Sequence, residues 1–278
     1  MESRTARALI KLGSIVGILF LWVPLVIVAV YAFNASIGQK FPIQHFTTRY
    51  FGLAWQNADV RRALATSLTV ALIATVVALI LGSAAAFAVH RYRFFGRNSV
   101  SFLLVLPIAL PGIVTGIALN STINTTGIPF SLWTIVIGHA TFCIVVVFNN
   151  VVARLRRTPT SLVEASMDLG ADGWHTFWHV TFPAIRTAVV AGALLAFALS
   201  FDEIVVTNFT SGSEITIPKF IFNNMRQPRN RPIVNVVAVA VIIVMVIPVY
   251  FAQRLAGAGD TAGTATGAIP APAEETAY

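Results

Sequence analysis

Charge is scarce in this chain. Only 11% of its 278 residues are Asp, Glu, Lys or Arg, against roughly 25% in a soluble globular protein. That excludes an ordinary water-facing surface over most of the length. Cysteine is nearly absent. The single Cys143 excludes an intrachain disulfide and a cysteine-based metal site, and reads as a small packing residue. No G-x-x-x-x-G-K-[ST] phosphate loop occurs, so the chain holds no ATP site of its own. There is no H-E-x-x-H and no G-x-S-x-G. His175 and His179 stand four apart beside Trp174 and Trp178, with no further ligand, and read as interfacial rather than metal-binding. No catalytic constellation remains, which argues against an enzyme. The net charge of +8 comes mostly from short loops beside apolar runs and is no argument for nucleic-acid binding.

Hydrophobic residues are abundant: they make up 56% of the chain, with a mean hydropathy of +0.79. Six runs approach or exceed the roughly 20 apolar residues that cross a bilayer, at about 12–33, 65–89, 99–119, 131–152, 184–208 and 234–256. The expectation is an all-α integral membrane domain of six helices over 12–256, after a short N-terminus at 1–11. Arg4, Arg7 and Lys11 precede the first run as they would a secretory signal. Its apolar core, Ile15 to Phe33, is longer than the roughly 7–15 residues of a signal core and is read as a retained span. Arg91, Arg93 and Arg97 follow the second run, and Arg154, Arg156 and Arg157 follow the fourth. The connection between them, near 120–130, has no charge. The positive-inside rule then places both termini and the 153–183 segment in the cytoplasm. Lys219, Arg226, Arg229 and Arg231 oppose this count from the connection before the sixth run, which reads as a packed outer element. Residues 257–278 turn to Gly, Ala, Thr and Pro, and read as a disordered cytoplasmic tail.

The polar segment between the fourth and fifth runs has internal design. It reads Glu164-Ala165-Ser166-x-x-x-Gly170, nine residues, then Val180-x-Phe182-Pro183. Pro159 and Ser161 mark a helix start, and Ser161-x-x-Glu164 has the form of a capping box. Leu162, Ala165 or Ser166, and Leu169 share one face, and Gly170 stands where a helix would stop. Such a helix suits a groove on a soluble partner. The pattern resembles the EAA loop of permease subunits of bacterial ATP-binding-cassette importers, E-A-A-x-x-x-G, nine residues, I-x-L-P. Glu164, Ala165, Gly170 and Pro183 match by identity, while Ser166, Val180 and Phe182 are conservative departures. The resemblance implies the type I importer permease fold and a coupling loop of Ser161, Glu164, Ala165, Ser166, Asp168, Gly170, Val180, Phe182 and Pro183. It also implies partners: an ATPase dimer carrying the ATP and Mg, a second permease subunit and an extracytoplasmic solute-binding protein. The chain itself would sit in a bacterial cytoplasmic membrane and bind no cofactor.

Two features within the apolar runs exceed filler. The third holds Leu106-Pro107-Ile108-Ala109-Leu110-Pro111-Gly112-Ile113-Val114-Thr115-Gly116. Its prolines break the backbone ladder and Gly112-x-x-x-Gly116 admits a close neighbour, for packing or to line a cavity. The fifth holds Ser200-Phe201-Asp202-Glu203. Acids in a span cost about 2.5–3.5 kcal/mol each on insertion scales, and face a cavity or a partner. On a continuous helix the two carboxylates would point about 100° apart, one toward a solute route and the other toward a neighbour. These runs, with Arg91-Tyr92-Arg93-Phe94, Thr125-Thr126-Gly127-Ile128-Pro129, His139-x-Thr141-Phe142-Cys143 and Met167-Asp168-Leu169-Gly170-Ala171, resemble spermidine/putrescine permeases over about 45–256. Permeases for phosphonates, opines and ferric iron carry similar segments and stay open as alternatives. Two acids among aromatic neighbours suit a polycation. An ion-driven secondary transporter would need an intramembrane ion site or inverted repeats, and neither is evident.

Overall fold

The computed structural model describes residues 4–38, 41–97, 99, 102, 103, 106 and 109–264. Among them the architecture is helical, with one isolated bridge between Asn34 and Phe46. The chain divides into two units, Met1–Ser67 with Glu214–Met245, and Leu68–Ser213 with Val246–Tyr278.

The first unit contains α1 (Arg4–Ala32), α2 (Arg49–Gln56), the start of α3 (Ala58–Arg91), α10 (Ile217–Asn224) and the start of α11 (Arg231–Thr264). Asn57 starts α3 by accepting the N–H groups of Asp59 and Val60 on its Oδ1, which satisfies donors that a helix start leaves open. Ala32, Ala54, Ala63, Ile217, Phe220 and Val234 meet in its core. The Ile217 N–H donates to the buried Ser67 Oγ at 2.8 Å, so α3 caps α10. The connection expected to be a packed element is therefore one, with Ile217, Pro218 and Phe220 buried. By contrast, only 6% of the most apolar stretch of α1 is buried.

The second unit is built on α5 (Leu132–Arg157), which packs against α8 (Phe182–Asp202) and the later part of α3. Its most apolar window is 67% buried, so α5 is the central helix. Phe142, Val147, Phe148, Val151 and Leu155 pack with Ala78, Ala86 and Val89 on one side and Ile185 and Ala196 on the other. Gly82 is essential to this packing, because a Cβ there would lie 2.8 Å from the Ile144 carbonyl oxygen. Cys143 is fully buried, its Sγ 3.4 Å from the Ala196 carbonyl oxygen, as a packing residue should be. Around this pair stand α4 (Gly112–Thr126), α6 (Thr160–Asp168), α7 (Gly173–Thr176) and α9 (Val205–Thr210).

Among the described residues five helices are long and apolar enough to cross a membrane: Leu9–Ala32, Ala58–Arg91, Leu132–Arg157, Gly173–Asp202 and Arg231–Leu255. Part of the run expected at 99–119 falls outside the described residues, Pro107 and Ile108 included, and α4 opens after Pro111 within it. The fifth span ends before the expected 208. Its helix stops at Asp202, Glu203 takes an extended backbone, and the chain restarts as α9. The last helix runs to Thr264, past the expected boundary at 256, and 265–278 lie outside the described residues.

Candidate functional site

The polar segment folds as a short helix, a tight stop and a second helix that merges into α8. Pro159 holds an extended backbone (φ −61°, ψ 134°) and α6 begins at Thr160. Ser161 is therefore already the second helical residue, and the expected box with Glu164 does not form: no side chain caps this end. The stop at Gly170 does form. Gly170 has φ +87°, its N–H donates to the Met167 carbonyl at 2.9 Å, and the Ala171 N–H reaches the Ser166 carbonyl at 3.1 Å. This is the paired 5→2 and 6→1 closure that a left-handed glycine allows.

One face of α6 is left bare. Leu169 is 90% exposed and Leu162 50%, with Ser161, Ala165 and Asp168 exposed as well. Ser166 instead turns inward, its Oγ 3.1 Å from Thr176 Oγ1, which ties α6 to α7. Asp172 starts α7 by accepting the His175 N–H and pairing with its Nδ1, both at 2.8 Å. These bonds, the backbone one first, hold its carboxyl below the usual range. His175 and His179 stack with ring centroids 5.9 Å apart, and no group of three metal-ligating residues exists among the described residues.

A π-helical turn, Phe177–Thr181, carries the chain from α7 into α8. Val180 is half-buried within it. Phe177 packs edge-on against Phe87 of α3 at 5.6 Å, and Trp178 against Phe182 at 5.2 Å. Pro183 opens α8, where its missing N–H costs nothing. Arg154 Nε donates to the Ala184 carbonyl at 2.9 Å, joining the end of α5 to the first turn of α8. Between these parts lies a cleft of about 310 Å³ lined by Phe87, His90, Arg91, Val163, Glu164 and Thr176, among others. The Glu164 carboxylate has no hydrogen bond or ion pair among the described residues.

The acid pair lies at the other end of α8. Asp202 is its last residue and is exposed. Glu203 is half-buried in the break, and its Oε1 accepts the Val206 N–H at 2.9 Å. The backbone turns extended only after the Glu203 Cα (φ −72°, ψ 117°), so the two side chains leave it as they would on a helix. Both line one open depression of about 300 Å³ with Leu195, Ala198 and Leu199. No hydrogen bond or ion pair engages the Asp202 carboxylate among the described residues.

Sequence reasoning gave His139 no role. It is 1% exposed, its Nδ1 2.8 Å from Ser200 Oγ and its Nε2 2.9 Å from Thr207 Oγ1. A lone histidine in an apolar run carries no signal of such partners. Nearby, Gly116 lies under Phe209, whose ring a Cβ would meet at 2.4 Å. The close neighbour that the glycine pair promised is thus α9.

Residues 74–258 match the family of binding-protein-dependent transport system inner membrane components. The chain is 33% identical over 239 residues to the spermidine/putrescine transport system permease protein PotC of Escherichia coli (strain K12), covering 85% of this chain and 89% of that protein. It is 34% identical over 236 residues to the putrescine transport system permease protein PotI of the same strain, covering 82% and 83%. Among solved structures, the fold matches a chain of a bacterial ABC transporter involved in the import of the acidic polysaccharide alginate. The TM-score is 0.69 at 17% identity, over 91% of this chain and 98% of that one. A chain of the MetNI methionine ABC transporter, in an inward-facing conformation, matches with a TM-score of 0.54 at 18% identity, over 79% and 99%. At those identities the two structures speak to fold alone. The family match spans more than half of the chain and the PotC match most of it, so this chain belongs to the binding-protein-dependent transport system inner membrane components, the permease subunits of ABC importers.

Proposed function

We propose that this permease takes up polyamines and is driven through its 153–183 segment by a separate ATPase dimer. The observation that carries the reading is its one-third identity, over most of its length, to permeases named for spermidine and putrescine. The depression beside Asp202 supports it. Carboxylates over walls of Leu195, Ala198 and Leu199 suit a solute of ammonium groups joined by methylenes. The bare face of α6 and the unengaged Glu164 carboxylate support a docking role, since both lack a partner among the described residues. In this reading six spans cross the membrane, the third within 99–119, and both termini are cytoplasmic. A second permease subunit completes the pore and an extracytoplasmic solute-binding protein delivers the solute. ATP and Mg stay on the ATPase, and this chain binds neither.

Closure of the ATPase would move α6 and α7. Through the π turn and the Arg154–Ala184 bond, it would swing the packed α5–α8 pair between inward- and outward-facing states. Proteoliposomes holding the complex and its binding protein should accumulate radiolabelled spermidine or putrescine only when ATP is enclosed on the ATPase side. Accumulation of a phosphonate, an opine or ferric iron with no polyamine uptake would overturn the substrate.

A further inference from the structure

We propose that His139 is a positioning residue for the solute route: it is the tie that holds the break between α8 and α9 and so fixes where the Asp202 and Glu203 carboxylates stand. The proposal rests on the reading of that acid pair as part of the route.

The break is unusual ground for a membrane span. Ending α8 at Asp202 frees carbonyl groups that a bilayer cannot satisfy, so side chains must take them. Thr207 Oγ1 donates to the Glu203 carbonyl at 2.6 Å, inside the break itself. A threonine hydroxyl has one proton, and here it is spent. The contact at 2.9 Å between Thr207 Oγ1 and His139 Nε2 therefore has the imidazole as donor. His139 then carries a proton on Nε2 and accepts the Ser200 hydroxyl on Nδ1 at 2.8 Å. One buried ring thus spans the break, with Ser200 two residues before Asp202 and Thr207 four residues after Glu203.

The far end of α9 is held independently by neighbouring helices. Asn120 Nδ2 of α4 donates to the Phe209 carbonyl at 2.7 Å, and Thr134 Oγ1 of α5 lies 2.7 Å from the Thr210 carbonyl, its one proton shared between that carbonyl and the Ser131 carbonyl, also at 2.7 Å. His139 and Thr134 both belong to α5, so α9 is fastened to the central helix at both ends. Gly138 lets it lie close, since a Cβ there would meet Val206 Cγ1 at 3.0 Å and Thr210 Cγ2 at 3.3 Å. Whatever moves α5 carries the break, and the acids, with it.

The test uses the assembled complex. His139→Leu fills the space without bridging, while His139→Gln keeps one donor and one acceptor. The leucine variant should raise the apparent KM for spermidine by about tenfold, the scale of one lost hydrogen-bonded tie, with kcat changed much less. The glutamine variant should recover most of that loss, as a purely space-filling role would not allow. Ser200→Ala removes one contact only and carries the same expectation should the His139 variants not assemble. Spin labels at Leu199 and Asn208, in a Cys143→Ser background, read the break directly. Their distance distribution should broaden in His139→Leu or, failing its assembly, in Ser200→Ala. An unchanged distribution overturns the proposal, as does a leucine variant that performs as well as glutamine. A broadened distribution with unchanged KM overturns the proposal in another way: the tie holds the break, but the acids are not on the route, so that reading fails with it.

Discussion

Glu203 accepts the Val206 N–H from within the helix break, whereas the carboxylate of Asp202 beside it is engaged by no group among the described residues. Their substitutions should therefore separate. Asp202→Asn removes a charge that offsets desolvation of an entering ammonium. Losing one charge-assisted contact of roughly 1.5–3 kcal/mol should weaken apparent polyamine affinity about ten- to a hundredfold, with stability little changed. Glu203→Gln keeps the oxygen that accepts from Val206, while Glu203→Ala loses it and should cost about 1 kcal/mol of stability, the scale of a lost helix cap. Uptake and thermal unfolding of the purified complex check both arms. Asp172 adds a pH dependence. Its carboxyl is lowered by the His175 bonds, so its contribution is present above the ordinary carboxylate pKa and fades as pH falls through the lowered value. The protection factors of the Trp174 and His175 amides, with the pH-dependent intrinsic exchange rate divided out, should fall as the buffer is taken into that acid range, and Asp172→Ala should show the lowered protection at neutral pH. The acids were legible in the sequence because charge in an apolar run is costly. Their inequality was not, because it depends on where α8 stops.

The helix α6 ends as its sequence says it should, on a glycine whose φ of +87° other residues adopt only with strain. Its start differs from the expected box, since Pro159 takes the cap position two residues before Ser161. Local signals of this kind are read from neighbours in the chain. The partners of His139 are 61 and 68 residues away, and only the packing of α5 on α8 brings them together. The bare face of α6 gives a direct expectation. Leu169→Asp changes a side chain that is 90% exposed, so the permease should insert and fold as before yet lose the ATPase on co-purification. Glu164→Ala with Gly170→Pro should leave the spans inserted and abolish substrate-stimulated ATP hydrolysis, because proline cannot adopt the positive φ. Normal hydrolysis in both would show that this helix is not the docking element.

At the scale of the molecule, six runs of apolar sequence are met, among the described residues, by five helices long enough to span and by α4, whose run is described in part. The two acids that were expected inside the fifth span lie at its broken end. The all-helical class and five of the expected spans were legible because a bilayer demands length. The break was not, because a run of apolar letters continues across it. Topology is open to a simple check. Cysteines at Ser161 and Asn124, both exposed, in a Cys143→Ser background should react with an impermeant reagent from opposite faces, Ser161 only once the cytoplasmic face is opened. Labelling of both in intact cells would refute the proposed arrangement. The π turn at Phe177–Thr181 has a further meaning for this geometry. Such a turn holds one residue more than an α-helical turn over nearly the same rise, so the extra residue is absorbed locally and sets the azimuth of α7 against α8. With α8 locked to α5, tightening the turn to a plain α-helix with every residue kept would rotate α7, Trp174 and the coupling helix by about 100° and push them about 1.5 Å along the axis. The chain would still fold and still span, but its handle would face the wrong way.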